Sequence, residues 1–181
     1  MAGDEVKYSI CMANYNMADT IESAISSVAS QLDKRFEIVI VDDGSSDASL
    51  SMLERLAEEF KFIKVIPLKR EKSRKLGETR NISIREASGT WCLLHLDCDD
   101  TYDDHIKAWV EVFHQVNNAC RSDILLAGKH IHMAKRTLLL SYGPYINIFR
   151  GEDREMYTRF SKDNLLWFLE HEDFCTRLPK T

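Results

Sequence analysis

Prolines, glycines and paired cysteine motifs are scarce in this sequence, and each shortage closes off a class of protein. Three prolines and seven glycines in 181 residues exclude collagen-like and low-complexity chains. The five cysteines, Cys11, Cys92, Cys98, Cys120 and Cys175, form no Cys-x-x-Cys, so neither a disulfide framework nor a zinc site is expected. They read as reduced thiols of a cytoplasmic protein, with Cys11 and Cys92 inside strand-like runs. No run reaches the roughly 18 apolar residues of a membrane span, and Met1 to Glu5 is polar, so neither a transmembrane helix nor a signal peptide is expected. Positive charge is in deficit too. With 24 Lys and Arg against 29 Asp and Glu, the net charge of -5 argues against a nucleic-acid partner held by the overall field. A local basic stretch can still hold phosphates, and the expected partner is small.

What is present is enough apolar sequence for one α/β domain covering residues 1–181. Tyr8 to Ala13, Phe36 to Val41, Phe62 to Ile66 and Thr90 to Leu96 read as buried strands. Apolar residues at helical spacing follow each one: Ile21 to Leu32 with Asp19 or Thr20 as cap, Leu50 to Phe60, the segment of Arg80, Asn81, Ile84 and Ala87, and Ile106 to Val116. Strand and helix therefore alternate, and the strands are continuously apolar. That is the pattern of a mostly parallel sheet covered by helices on both faces. Beyond it the character changes. Ile124 to Ala127, Lys129 to Lys135 and Thr137 to Ser141 read as further strands, antiparallel in a smaller second half. A helix is expected to open at Gly151-Glu152-Asp153-Arg154, and Leu165 to Leu169 reads as the last strand. Leu178 to Thr181 offers no final element, which leaves a fragment of a longer protein as an expectation.

The stretch His95-Leu96-Asp97-Cys98-Asp99-Asp100 closes a buried strand with acids. Carboxylates a few ångströms apart repel by about 4 kcal/mol at the effective dielectric near a protein surface. A divalent cation turns that repulsion into binding, and Mg²⁺ and Mn²⁺ favour oxygen ligands, taking one or two carboxylates and completing the shell with water and phosphates. Asp97 and Asp99 fit that use. Asp103 and Asp104 read instead as a solvated loop before a helix. Cys98, on an extended segment, is expected to point away from its two acidic neighbours.

Ligands of parallel sheets collect at the carboxyl ends of the strands. Here those ends are Asn14-Tyr15, Asp42-Asp43, the basic stretch Lys69 to Lys75, and Asp97 to Asp100. A rim of that composition suits a nucleoside diphosphate carrying a leaving group. Tyr15 can stack on a base, Asp43 can accept a hydrogen bond from base or ribose, and Arg80 with the Lys72 and Arg74 loop can face the diphosphate.

The run Ser9-Ile-Cys-Met-Ala-Asn-Tyr-Asn16, the turn Ile40-Val-Asp-Asp-Gly-Ser45, Gly77 through Arg80-Asn81, Leu96-Asp-Cys-Asp-Asp100 and Gly151-Glu-Asp153 together resemble family 2 glycosyltransferases of the GT-A fold. They stand in that family's order across roughly residues 8 to 160. The resemblance implies a Rossmann-like nucleotide-diphospho-sugar transferase fold, a nucleotide-diphosphate sugar donor, a Mn²⁺ or Mg²⁺ ion and inversion at the anomeric carbon. It further implies donor contacts from Ala13, Tyr15, Asp43 and Arg80, with Asp97 on the ribose or the metal-bound waters and Asp99 on the metal. Asp153 would be the general base that takes the acceptor's proton. The first hundred residues would form the donor half and about 101–181 the acceptor and base half. The acceptor is not identified, and a peripheral site at the inner face of a membrane is one expectation for it. The chain departs from the family in carrying Thr101-Tyr102-Asp103-Asp104 where a proline is common.

Three histidines complete the candidates. His171 is a candidate further metal ligand, as a carboxyl-terminal histidine is in some GT-A enzymes, although read alone it is a surface residue between two glutamates. His130 and His132 share a face if both lie on one strand, and ordinary strand positions explain them without a metal. Two other classes fit parts of the pattern. A nucleotidyltransferase making activated sugars would present a glycine-rich basic loop after the first strand, where this chain has Asn14-Tyr15-Asn16. A receiver-like signalling module that binds Mg²⁺ would lack the Glu152-Asp153 element and the antiparallel half.

Overall fold

The computed structural model describes residues 6–179; Met1 to Glu5, and Lys180 and Thr181 at the other end, lie outside the described residues. Its elements run β1 (Tyr8–Asn14), α1 (Ile21–Ala29), β2 (Phe36–Asp42), α2 (Ser49–Glu59), β3 (Ile63–Pro67), α3 (Leu76–Glu86), β4 (Trp91–Leu94), β5 (Asp100–Tyr102), α4 (Ile106–Ala119), β6 (Leu125–Ala127), β7 (His132–Lys135), α5 (Arg136–Tyr142), α6 (Glu152–Lys162), β8 (Leu166–Phe168) and β9 (Cys175–Arg177). A seven-stranded sheet has the order β3-β2-β1-β4-β7-β6-β8, and β5 pairs with β9 in a separate ribbon. The first four strands of that order are mutually parallel, whereas β7 runs antiparallel to both β4 and β6.

Side-chain alternation along each strand divides the interior into two cores. Ile10, Met12, Ile38, Ile40 and Leu93 point to one face, where they meet Ile25 of α1, Leu53 of α2 and Phe113 of α4. Their neighbours Cys11, Val39, Cys92 and Leu94 point to the other, against Ile84 of α3, Leu139 of α5 and Phe160 of α6. A strand flanked by helices on both faces must be apolar at every position, which is why these runs show no polar alternation. Each fully buried large side chain contributes about 1.5–3 kcal/mol relative to exposure.

Several expectations are corrected. Thr137 to Ser141 is not a strand but lies within α5, where only Leu139 is buried and Leu140 is 40% exposed. A short leucine run fits either state, and β7 has already ended at Lys135. β4 stops at Leu94 rather than Leu96, because His95 adopts a left-handed φ of 69° that turns the chain off the ladder. Thr20 stands at the N-cap of α1 without capping it; its hydroxyl donates to the Cys98 carbonyl at 2.8 Å. Leu166–Phe168 is not the last strand. β9 follows it, laid along β5 with Arg177 opposite Asp100.

His95 and His132 stack face to face behind the acidic segment, ring centroids 4.5 Å apart, and His132 Nε2 meets the Tyr157 hydroxyl. His130 lies outside β7 and reaches Asp173, so the two histidines spaced two apart do not form a pair. Burial above all, then the His95 ring, holds the His132 pKa well below the usual histidine value. In the unfolded chain the same imidazole protonates near pH ~6.5. The unfolded state therefore binds the extra proton first, and stability is expected to fall as pH drops from about 6.5 towards the lowered native value. The slope is up to ~1.4 kcal/mol per pH unit for each such histidine. Urea unfolding of wild type and His132→Gln between neutral and mildly acid pH checks this. The variant's curve should be flatter, and identical slopes would refute the assignment to His132.

Candidate active site

Four strand ends and the loops after them meet at one cavity of about 520 Å³. Ala13, Tyr15, Asp43, Arg74, Arg80, Asp97 and Asp99 all line it, so the structure brings the predicted donor residues together. Lys75, Arg70 and Arg177 add to its positive wall.

The β2 exit separates two adjacent aspartates by role. Asp42 is fully buried and serves the backbone, accepting from the Ser45 amide at 2.9 Å and from Asn14 Nδ2 at 2.7 Å. Asp43 turns to the cavity and is held there by Arg70 and by Arg74 Nε at 2.6 Å. The Arg70 guanidinium also lies over the Tyr15 ring, 4.3 Å from its centroid. Gly44 takes φ 73°, and the Arg70 backbone occupies the place a Cβ would need. Arg74, expected to face the diphosphate, lines the cavity with its guanidinium paired to Asp43. Lys72 is exposed and lies outside the cavity lining, while Lys75, which opens α3 three residues later, is inside it.

The acids gather as predicted, with one addition. Carboxylate oxygens of Asp97, Asp99 and Asp100 all lie within 4.8 Å of one another. Cys98 between them is buried in the core, pointing away from the group as expected. Asp103 and Asp104 are exposed ahead of α4 and take no part. The acid segment is braced from α1 and the turn that follows it: Ser27 Oγ accepts from the Tyr102 amide at 3.0 Å, and Gln31 Nε2 donates to the Tyr102 carbonyl at 3.0 Å. The Tyr102 hydroxyl in turn accepts from the Asp97 amide at 2.7 Å. Burial raises the Asp100 pKa, opposed by Arg177. Burial likewise pushes the Cys175 thiol up to about 12, and Cys175 stands outside the carboxylate group. An all-oxygen donor set with a buried Asp100 Oδ1 that accepts no hydrogen bond fits Mg²⁺ or Mn²⁺. His171 is not part of this group. Its Nε2 accepts from the Lys129 amide at 2.9 Å and its ring stacks on Phe174.

Arg80 links the acid segment to α6. Its Nη2 donates to Asp97 Oδ1 at 3.0 Å, and its Nη1 makes a charge contact of 3.2 Å with Glu152 Oε1. Burial opposes the Arg80 cation, but Asp97, Tyr145, Glu152 and Asp153 outweigh it and its pKa is raised. Burial pushes the Glu152 pKa up. Asp153, next on the helix, does not line the cavity wall; it stands partly buried beyond Arg80, accepting from the Arg154 amide at 2.8 Å. Gly77 lets α3 approach this corner: a Cβ there would collide with the Ile146 carbonyl oxygen and touch Glu152 at 3.4 Å. Glu152, Asp100 and Arg177 escaped sequence reading as site residues.

A mostly parallel sheet that turns antiparallel beyond its acidic strand end, with the cavity at the parallel strands' tips, defines a GT-A fold. The sequence model for glycosyl transferase family 2 matches residues 9–165. The chain belongs to that family. A cholesterol galactosyltransferase of Borreliella burgdorferi is 30% identical over 143 residues, covering 77% of this chain and 38% of that protein. The chain thus spans well under half the length of the curated relatives it matches. Among solved structures, S. aureus TarS 1-349 in complex with UDP-GlcNAc superimposes with a TM-score of 0.79 at 19% identity, covering 97% of this chain and 59% of that 1-349 chain. The mannosyltransferase PcManGT from Pyrobaculum calidifontis, in complex with GDP-Man and Mn²⁺, gives 0.77 at 18% identity, covering 96% and 57%. Among the described residues, no helix is long and apolar enough to cross a membrane.

Proposed function

We propose that this chain carries the catalytic domain of a metal-dependent, inverting glycosyltransferase, with its donor half within about residues 1–100 and its acceptor half within about 101–181. The observation that carries the reading is the convergence of Tyr15, Asp43, Arg80, Asp97 and Asp99 on one cavity. Tyr15 stacks on the nucleobase, Asp43 accepts its hydrogen bond, and Asp97 serves the ribose or metal-bound water. Arg80 and Lys75 place positive charge beside the diphosphate. A divalent cation held through Asp99 supplies Lewis-acid stabilisation of the departing diphosphate, typically several kcal/mol. The acceptor hydroxyl oxygen attacks the anomeric carbon as the bond from that carbon to the diphosphate oxygen breaks. Asp153 takes the hydroxyl proton, and the nucleoside diphosphate leaves with the bonding electrons. Attack from the face opposite the leaving group inverts the centre. That one relative is named a cholesterol galactosyltransferase supports an acceptor at a membrane surface.

The antiparallel β7 and the α6 carboxylates speak against a receiver-like module, and Asn14-Tyr15-Asn16 at the exit of β1 speaks against a nucleotidyltransferase. Thermal unfolding with UDP- and GDP-sugars, with and without Mn²⁺, tests the proposal. A donor at a hundredfold excess over its Kd is expected to stabilise the fold by about 2.7 kcal/mol. Asp99→Asn should lose the Mn²⁺-dependent part. A donor shift that persists undiminished in EDTA would remove the metal from the reading.

A further inference from the structure

A cation already sits among the acids. β9 pairs with β5 so that Arg177 falls directly opposite Asp100, and the Leu178 amide donates to the Asp99 carbonyl at 2.8 Å. This short ladder delivers the Arg177 guanidinium onto both carboxylates: Nη1 meets Asp99 Oδ1, and Nε stands 2.9 Å from Asp100 Oδ1. The two sides of the contact differ in exposure. The Asp99 and Asp100 side chains are 9% and 6% exposed, whereas that of Arg177 is 62% exposed and borders the cavity. Asp100 Oδ1 gains proximity from Arg177 but no hydrogen bond. The carboxylates are thus fixed by their backbone and neutralised by a side chain that is free to withdraw into solvent or into the cavity.

Resting on the metal-dependent reading above, we propose that Arg177 is the resident counter-cation of Asp99 and Asp100. It and a divalent cation exclude one another at Asp99 Oδ1, and on loading the released guanidinium passes to the diphosphate across the same cavity. Arg177 is then a positioning residue with two stations. Before loading it offsets the repulsion among the acids; afterwards it stands beside the donor. Because a guanidinium and a divalent cation brought to the same oxygen repel one another, the bare protein binds metal more weakly than its carboxylates alone would, and the donor strengthens metal binding by giving Arg177 somewhere to go.

The test is a Mn²⁺ titration read by the electron paramagnetic resonance of free Mn²⁺, with and without UDP, on wild type, Arg177→Gln and Arg177→Lys. Without UDP, Arg177→Gln is expected to bind Mn²⁺ roughly tenfold more tightly than wild type, because no competing cation has to leave. Arg177→Lys keeps the charge without the planar fork and should fall between them. With UDP the order reverses, since the variant lacks the second station. Thermal unfolding without metal provides an independent readout: Arg177→Gln should melt below wild type and recover on adding Mn²⁺. Equal Mn²⁺ affinities for wild type and Arg177→Gln without UDP, in variants that unfold cooperatively, would overturn the proposal and leave the metal site standing. Absence of Mn²⁺ binding by every protein, with or without UDP, would overturn the metal reading and this inference with it.

Discussion

Replacing Asp153 with asparagine is expected to lower turnover by roughly 10²–10⁴-fold while leaving donor affinity unchanged. Asparagine keeps the size of the side chain and an oxygen for the Arg154 amide, which Asp153 accepts at 2.8 Å, so the start of α6 survives the change. What disappears is the basic oxygen. Because Asp153 stands beyond Arg80 rather than in the cavity wall, the donor should not sense its loss. An alternative role for Asp153 is only to favour the positive end of the helix, a contribution of about 0.3–1 kcal/mol. The two roles separate cleanly by experiment. Transfer measured alongside donor titration calorimetry should show lost turnover with intact binding. Full turnover with a slightly lowered melting temperature would leave Asp153 a helix-end charge and nothing more.

How far the site was readable from sequence depended on the range of the contacts that make it. Tyr15, Asp43 and Asp99 each end or follow a strand whose apolar run announces it, and the parallel order then gathers them without further information. The same reasoning failed where a contact joins distant segments of weak local character. β5 and β9 are three residues each, too short for alternation to register, and their pairing depends on tertiary placement of the chain after β8. Arg177 consequently carried no signal in sequence, although it meets the predicted metal carboxylates. Glu152 was passed over for a related reason: its partner Arg80 lies on a helix far back in the chain, and only the fold brings them to 3.2 Å. Thr137 to Ser141 failed locally. Three consecutive leucines satisfy a buried strand and a half-buried helix equally, and β7 already had β4 and β6 paired on its two sides, leaving this segment no place beside it.

The Arg80 junction should produce the largest change in stability. Its side chain is 9% exposed, and its partners Glu152 and Asp97 are 6% and 30% exposed, so Arg80→Met strands one buried carboxylate and half of another. Breaking such a pair from one side costs about 3–5 kcal/mol, because the remaining charge keeps its desolvation penalty and loses its compensation. The pH dependence identifies the mechanism. Burial already raises the Glu152 pKa, and without Arg80 it rises further. The folded variant then holds a proton that the unfolded chain releases near pH ~4.3, so its stability falls as pH rises from there through the raised native value. Urea unfolding should therefore show the deficit of Arg80→Met against wild type growing between mildly acid and neutral pH. Arg80→Met combined with Glu152→Met should recover part of the loss, since an apolar pair of similar volume removes the stranded charge. A deficit that is constant with pH and untouched by the second substitution would place the cost in packing against Tyr145, whose ring lies 5.7 Å from the guanidinium, rather than in the charge pair.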